Sequence, residues 1–184
     1  MNKIDTDIGR DASVSETFAP QASVLIGKAA PDLIRDELLC EIFAETVAHR
    51  AHHAAMITLE RRFSYAEADA QATAIARGLL RQGVRPGDVV GLWRARGPEL
   101  LLAQIAIAKT GAAWLPFDAD APVERIAVCL ADAEARALLT SEDFAAKVEG
   151  RMPCPILVDE ALIDATDHSL VDARALGATP APPA

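Results

Sequence analysis

The stretch that most constrains this chain runs from Val89 to Leu115. Val89-Val90-Gly91-Leu92-Trp93 is a continuous apolar run, with none of the alternation of a strand that wets one face. Pro98 stands where a first helical residue would stand, and its missing N–H costs nothing there. Leu100 to Ala108 is almost wholly apolar, the mark of a helix covered on most sides. Gly111 closes that helix, and Ala112 to Leu115 reads as the next strand. Strand, buried helix and strand make a βαβ unit, and continuous apolar strands belong to parallel sheets covered on both faces.

The flanking sequence extends the same alternation. Residues 1–32 are polar and read as a flexible leader, with a short apolar piece at Val24-Leu25-Ile26. A helix is predicted from about Asp36 to His49, with Leu38, Leu39, Ile42, Phe43 and Val47 on one stripe and Glu37, Glu41 and Glu45 on a solvated face. Ala54 to Leu59 and Phe63 to Tyr65 read as a hairpin about a turn at Glu60-Arg61-Arg62. Ser64 and Glu67 have the spacing of a capping box, and the helix they open runs to about Gln82, with Ala68, Ala72, Ile75, Ala76, Leu79 and Leu80 inward. Gly83 ends it, and Arg85-Pro86-Gly87-Asp88 is a turn. Beyond the βαβ unit, the chain turns at Pro116, a helix opens at Pro122 and runs to about Asp132, and Ala137-Leu138-Leu139 is a strand. Ser141 caps a short helix over Phe144 and Val148, and Pro155 to Val158 is a last strand. The expected organisation is a leader over 1–32, an α/β domain over 33–165 and a Pro/Ala-rich linker over 166–184.

Composition removes several classes of function. Net charge is −9 with scattered basic residues, so the clustered patch of a nucleic-acid binder is missing. Cys40, Cys129 and Cys154 are odd in number and lack CxxC spacing, which suits reduced thiols. No apolar run reaches the roughly 18 residues of a membrane span, and no secretory signal is read, so a cytoplasmic location is expected.

Each candidate for chemistry has a structural reading that outweighs it. No two glycines are closer than four residues, so Gly83, Gly87 and Gly91 suit turns and packing rather than a phosphate cradle. His49, His52 and His53 cluster, but at a helix end, where the dipole favours histidine, and without enough further ligands for a metal. Cys129 sits in an apolar helix. No Ser occupies a G-x-S-x-G elbow. Asp118 and Asp120 flank a helix start, where anions meet the positive end. Asp118 and Arg125 are expected to pair and hold the strand–helix turn. No catalytic, cofactor-binding or metal residue is assigned.

Three segments carry a resemblance. Phe63-Ser64-Tyr65-Ala66-Glu67 resembles the first core motif of nonribosomal peptide synthetase adenylation domains, in the AMP-forming acyl/aminoacyl ligase superfamily, with Ala68 where Leu is usual. Gly83 to Gly91 resembles the turn and strand that follow. Lys109-Thr-Gly-Ala-Ala-Trp-Leu-Pro-Phe-Asp-Ala-Asp-Ala-Pro-Val-Glu-Arg125 resembles the second motif, with Trp114 in place of Tyr and Phe117 in place of Leu. Its Phe-Asp-Ala-Asp-Ala-Pro phrase is most similar to the ε-poly-lysine-synthetase-like branch.

The resemblance covers about residues 35–160. It implies amino-acid activation with ATP and Mg²⁺ to an aminoacyl-AMP and pyrophosphate, then transfer to a carrier-protein thiol. The family's phosphate loop and catalytic lysine match no position here, so the resemblance implies an incomplete N-terminal portion of the fold, inactive alone. Its expected partners are the remainder of the ligase domain and a carrier protein, with neither nucleic acid nor membrane. Self-association through exposed apolar surface is a further expectation. The other reading that stays open is a non-enzymatic α/β interaction module, such as half of a split ligase; a small flavodoxin-like binding protein lacks the phosphate loop it would require.

Overall fold

The run Val89–Trp93 forms strand β3 of a four-stranded parallel sheet, in a computed structural model that describes residues 36–180. Its neighbours are β4 (Ala113–Phe117) on one side and β5 (Ala137–Thr140) on the other, with β6 (Ile156–Val158) beyond β5. The pairing registers Gly91 with Leu115 and with Leu138, and Leu139 with Leu157. Because side chains alternate across a strand, these apolar runs feed two separate cores. Val90, Leu92, Ala137, Leu139 and Leu157 face one; Trp93, Leu138 and Ile156 face the other.

Helices α2 (Tyr65–Arg81) and α3 (Pro98–Lys109) cover the first face, and α4 (Val123–Asp132) and α5 (Glu142–Val148) cover the second. The placement follows from connection handedness. The step from β3 to β4 and the step back across β3 to β5 run in opposite directions, so right-handed crossovers lay α3 and α4 on opposite faces. The α/β class, the flanking helices and the N-terminal hairpin expected from the sequence are all present, the hairpin as β1 (Ala54–Ile57) and β2 (Arg62–Ser64).

Local signals place most boundaries. Ser64 and Glu67 form the capping box: the Glu67 carboxylate accepts from the Ser64 N–H at 2.8 Å, and Ser64 Oγ accepts from the Glu67 N–H at 3.2 Å. Gly83 follows α2 with φ +86°, a conformation that costs a residue with a Cβ. Ala68, Ala72, Ile75, Ala76 and Leu79 are buried as predicted, whereas Leu80 is only half-buried.

Several expectations are corrected. Tyr65 is the first residue of α2 rather than the end of a strand, and the hairpin turns through Thr58–Arg61, where Thr58 Oγ1 accepts from the Arg61 N–H at 3.0 Å. The chain does not turn at Pro116. That residue continues β4, which tolerates a missing N–H because β4 is an edge strand. Pro122 is the N-cap of α4, one residue before the helix, and the Ser141 side chain makes no cap bond. Helix α1 (Leu39–Arg50) has no buried residue; its stripe is half-covered, with Leu39 and Ile42 exposed. Glu41 is not a bare solvated charge, since it pairs with Arg174 at 2.6 Å.

A four-residue helix, α6 (Asp159–Leu162), has no counterpart in the sequence reading. The segment assigned to a linker from 166 lies against the domain as far as it is described. Arg77 Nε donates to the Ser169 carbonyl at 2.7 Å, Arg81 pairs with Asp167, and Ala173 and Ala178 are buried. The leader over 1–32 lies outside the described residues.

Candidate functional site

In open parallel sheets, ligands meet the carboxyl ends of the strands where the strand order reverses. Here that point lies between β3 and β5, at Trp93 and Thr140. Thr140 Oγ1 donates to the Trp93 carbonyl and ties the two strand ends together. The Trp93 indole N–H donates to the Asp118 carbonyl at 2.9 Å, and its ring stands edge-on to Phe144 at 4.5 Å. Tryptophan here therefore fixes the loop after β4 as well as filling the second core.

The residue after Trp93 is a buried charge. Arg94 is 8% exposed and forms an ion pair with Asp159, itself 4% exposed, while Glu160 lies 3.7 Å from the same guanidinium. A buried charge must be paired, and topology supplies the partner, because β6 ends at Val158 and α6 begins at once with Asp159. The motif reading passed over this pair. Its only sequence signal is position: each partner directly follows an apolar strand.

A second ion pair lies beneath the other helices. Lys109, at the start of the second motif, is 9% exposed and its Nζ sits 2.8 Å from an Asp69 carboxylate oxygen on α2. It staples the end of α3 to α2.

Beside these lies an apolar groove of about 400 Å³ between α1, β1, α2, α3 and β4. Phe43, Met56, Tyr65, Leu101, Ile105 and Trp114 line it. The Cys40 thiol borders it and is pushed up by burial and then by the neighbouring Glu41 charge, which makes it a poor nucleophile. Burial also raises Cys154.

The remaining sequence candidates stay apart. His49, His52 and His53 are exposed, and among the described residues no group of three or more His, Cys, Asp or Glu side chains could hold a metal. Cys129 is half-buried on α4. Asp118, Asp120 and Arg125 are exposed, and among the described residues no ion pair joins Asp118 to Arg125. The turn they were expected to hold is fixed instead by the Trp93 bond to the Asp118 carbonyl and by the Ala121 N–H, which donates to that carbonyl at 3.0 Å. No described helix is long and apolar enough to cross a membrane.

Residues 43–183 match a family described as AMP-binding enzyme. The chain is 47% identical over 122 residues to delta-poly-L-ornithine synthetase of Acinetobacter baumannii, covering 66% of this chain and 9% of that one. It is 31% identical over 136 residues to gramicidin S synthase 2 of Brevibacillus brevis, covering 74% and 3%. Among solved structures it resembles NpsA-ThdA, an artificially fused adenylation–PCP di-domain from Klebsiella oxytoca, with TM-score 0.64, 25% identity and coverage of 75% of this chain and 26% of that one. A structure of the nonribosomal peptide synthetase FmoA3 bound to alpha-methyl-L-serine-AMP gives TM-score 0.68 and 28% identity, covering 75% and 15%. The chain thus spans a small part of each relative's length.

Proposed function

This chain belongs to the AMP-binding enzyme family, and from that membership we propose that it is the N-terminal portion of an amino-acid-activating ligase. The complete enzyme would join ATP and an amino-acid carboxylate, giving aminoacyl-AMP and pyrophosphate, and pass the aminoacyl group to a carrier-protein thiol. The observation that carries the reading is a family match over 43–183 in a chain that covers only 26% of an adenylation–PCP relative. The 47% identity to an enzyme named for poly-L-ornithine supports the branch that polymerises basic amino acids. The carrier domain in the fused relative supports the carrier protein as a partner.

Mg²⁺ does not fit the described residues by themselves. No group of three or more His, Cys, Asp or Glu side chains among them could hold a metal, and Arg94 at the strand ends is paired with Asp159. No chemical step is therefore assigned to this chain. Its part is scaffold: the βαβ core, the Trp93-anchored loop and the stapled α3 hold the sheet against which the remainder of the ligase domain packs.

The experiment is ATP–pyrophosphate exchange in two arms. The purified chain should give no amino-acid-dependent exchange, because stabilising a transferring phosphate needs convergent donors. A chimera of delta-poly-L-ornithine synthetase that carries residues 36–160 of this chain should keep exchange. Substrate-dependent exchange by the chain alone would overturn the scaffold role, and a folded but inactive chimera would overturn the ligase reading.

A further inference from the structure

We propose that α1 is a hinged lid latched by Arg174, and that the seating of the segment after α6 decides whether the latch holds. The inference goes beyond the proposed activity and does not rest on it.

The two ends of α1 are held in different ways. None of its residues is buried, so packing contributes little to its place. Its C-terminal end is tied by backbone. The Tyr65 N–H donates to the His53 carbonyl at 3.0 Å, and the Ala66 N–H donates to the Ala51 carbonyl at 2.9 Å. Those bonds join the end of α1 to the first turn of α2 and make the hinge. Among the described residues, no backbone bond joins the other end of α1 to another element.

Arg174 grips that other end. Its Nε and Nη2 donate to the two Glu41 carboxylate oxygens at 2.6 and 2.7 Å, a bidentate fork. Nη2 also donates to the Asp36 carbonyl at 3.0 Å. Glu41 in turn accepts from the Leu38 N–H at 2.8 Å, so the arginine holds the carboxylate that closes the first turn of the helix.

The latch stands on a segment with its own seat. From α2, Arg77 Nε donates to the Ser169 carbonyl at 2.7 Å and Arg81 pairs with Asp167. Asp167 accepts from the Ser169 N–H and Asp172 from the Arg174 N–H, each at 3.0 Å, which fixes the turns on either side of Leu170. Ala173 is buried. Among the described residues, the polar bonds between this segment and α1 all come from Arg174. Loosening the seat therefore withdraws the latch.

What the lid covers gives its motion a consequence. A cavity of about 280 Å³ lies between α1 and the segment, lined by Cys40, Ala44, Lys109, Val171 and Ala173. Cys40 also borders the apolar groove on α1. Lifting α1 would bare the half-buried Cys40 thiol and Lys109, which is 9% exposed under the latched lid.

Hydrogen exchange and thiol labelling test this in the full chain. Arg174→Met should speed exchange of the amides at 43–50 by at least about threefold, the scale of a well-formed exposed arginine–carboxylate pair. Alkylation of Cys40 by iodoacetamide should rise by a similar factor, while Cys129 and Cys154 in the same molecules keep their rates. The Val89–Trp93 amides should also keep theirs, which separates lid opening from loss of global stability. Arg77→Met with Asp167→Asn leaves Arg174 and Glu41 in place, yet it should speed the α1 amides by at least about threefold as the seat loosens. If that double variant fails to fold, the two single substitutions are read in its place. Unchanged α1 amides in Arg174→Met would overturn the latch, and unchanged α1 amides in the seat variants would overturn its control by the segment. Equal acceleration at β3 and α1, or flat Cys40 labelling, would overturn the lid.

Discussion

Arg94 and Glu41 show two kinds of ion pair in one small domain. The Arg94–Asp159 pair is buried at both ends. Removing one partner leaves the other charge without water or counterion, which costs about 3–5 kcal/mol. Arg94→Met should lower the urea midpoint of unfolding accordingly, and adding Asp159→Asn should recover part of the loss; a double variant no better than the single would show that the charge is not the cause. Glu41 is partly exposed, so its pair with Arg174 is best read through pH. The Arg174 guanidinium, and then the Leu38 N–H, lower its carboxyl from 4.5 to about 2. A depressed carboxyl contributes stability above its unfolded value, and that contribution fades as pH falls through the folded value. The thermal midpoint of Glu41→Gln should lie below the parent's at pH 6. The gap should begin to close below 4.5 and be gone near 2. A gap constant across that window would mean that the carboxylate charge contributes nothing.

At the scale of elements, close approach outweighs propensity at one position. Gly78 lies inside α2, where alanine gains about 1 kcal/mol over glycine in a free helix. Yet a Cβ there would stand 2.4 Å from the Leu162 Cβ and 2.5 Å from the Leu162 carbonyl oxygen. Backbone cannot step aside as a flexible side chain does, and overpacking of this kind costs about 1–3 kcal/mol. Displacing α6 would also strain the Arg81 bond to the Leu162 carbonyl, 2.6 Å long, and the Arg94–Asp159 pair. Gly78→Ala should therefore be destabilising on balance, read as a lower midpoint in urea. A stabilised variant would show that α6 is loosely held.

Across the whole molecule, two well-filled cores flank the sheet while one side of the first layer is left open. Leu39, Ile42 and Leu101 are 59%, 37% and 46% exposed along the groove between α1 and α3. Contiguous apolar surface of this kind marks a binding face. The native chain should bind an apolar fluorescent dye and self-associate as its concentration rises. Ile42→Gln with Leu101→Gln should reduce both, while the melting temperature moves little, since exposed substitutions cost within about 0.5 kcal/mol each. Undiminished dye binding in the double variant would place the apolar surface elsewhere.

What the sequence determined by itself is local. The continuous apolar run of β3, the Ser64–Glu67 box, Pro98 at the head of α3 and the positive φ of Gly83 each depend on residues within a turn of one another. Such signals survive without knowledge of the rest of the chain, and with them came the α/β class and the motifs of the second segment. The boundary at Pro116 slipped because an edge strand forgives a proline that an inner strand would reject, and sequence does not say which strand is at the edge. Only the tertiary structure decided the pairings. Arg94 meets Asp159 and Lys109 meets Asp69 because crossovers bring their elements together, while Asp118 and Arg125, near neighbours in sequence, stay apart. The segment after 166 was read as a linker from its composition, yet Arg174 reaches Glu41 across 133 residues. Charge and burial reward contact in space, and separation along the chain carries no trace of it.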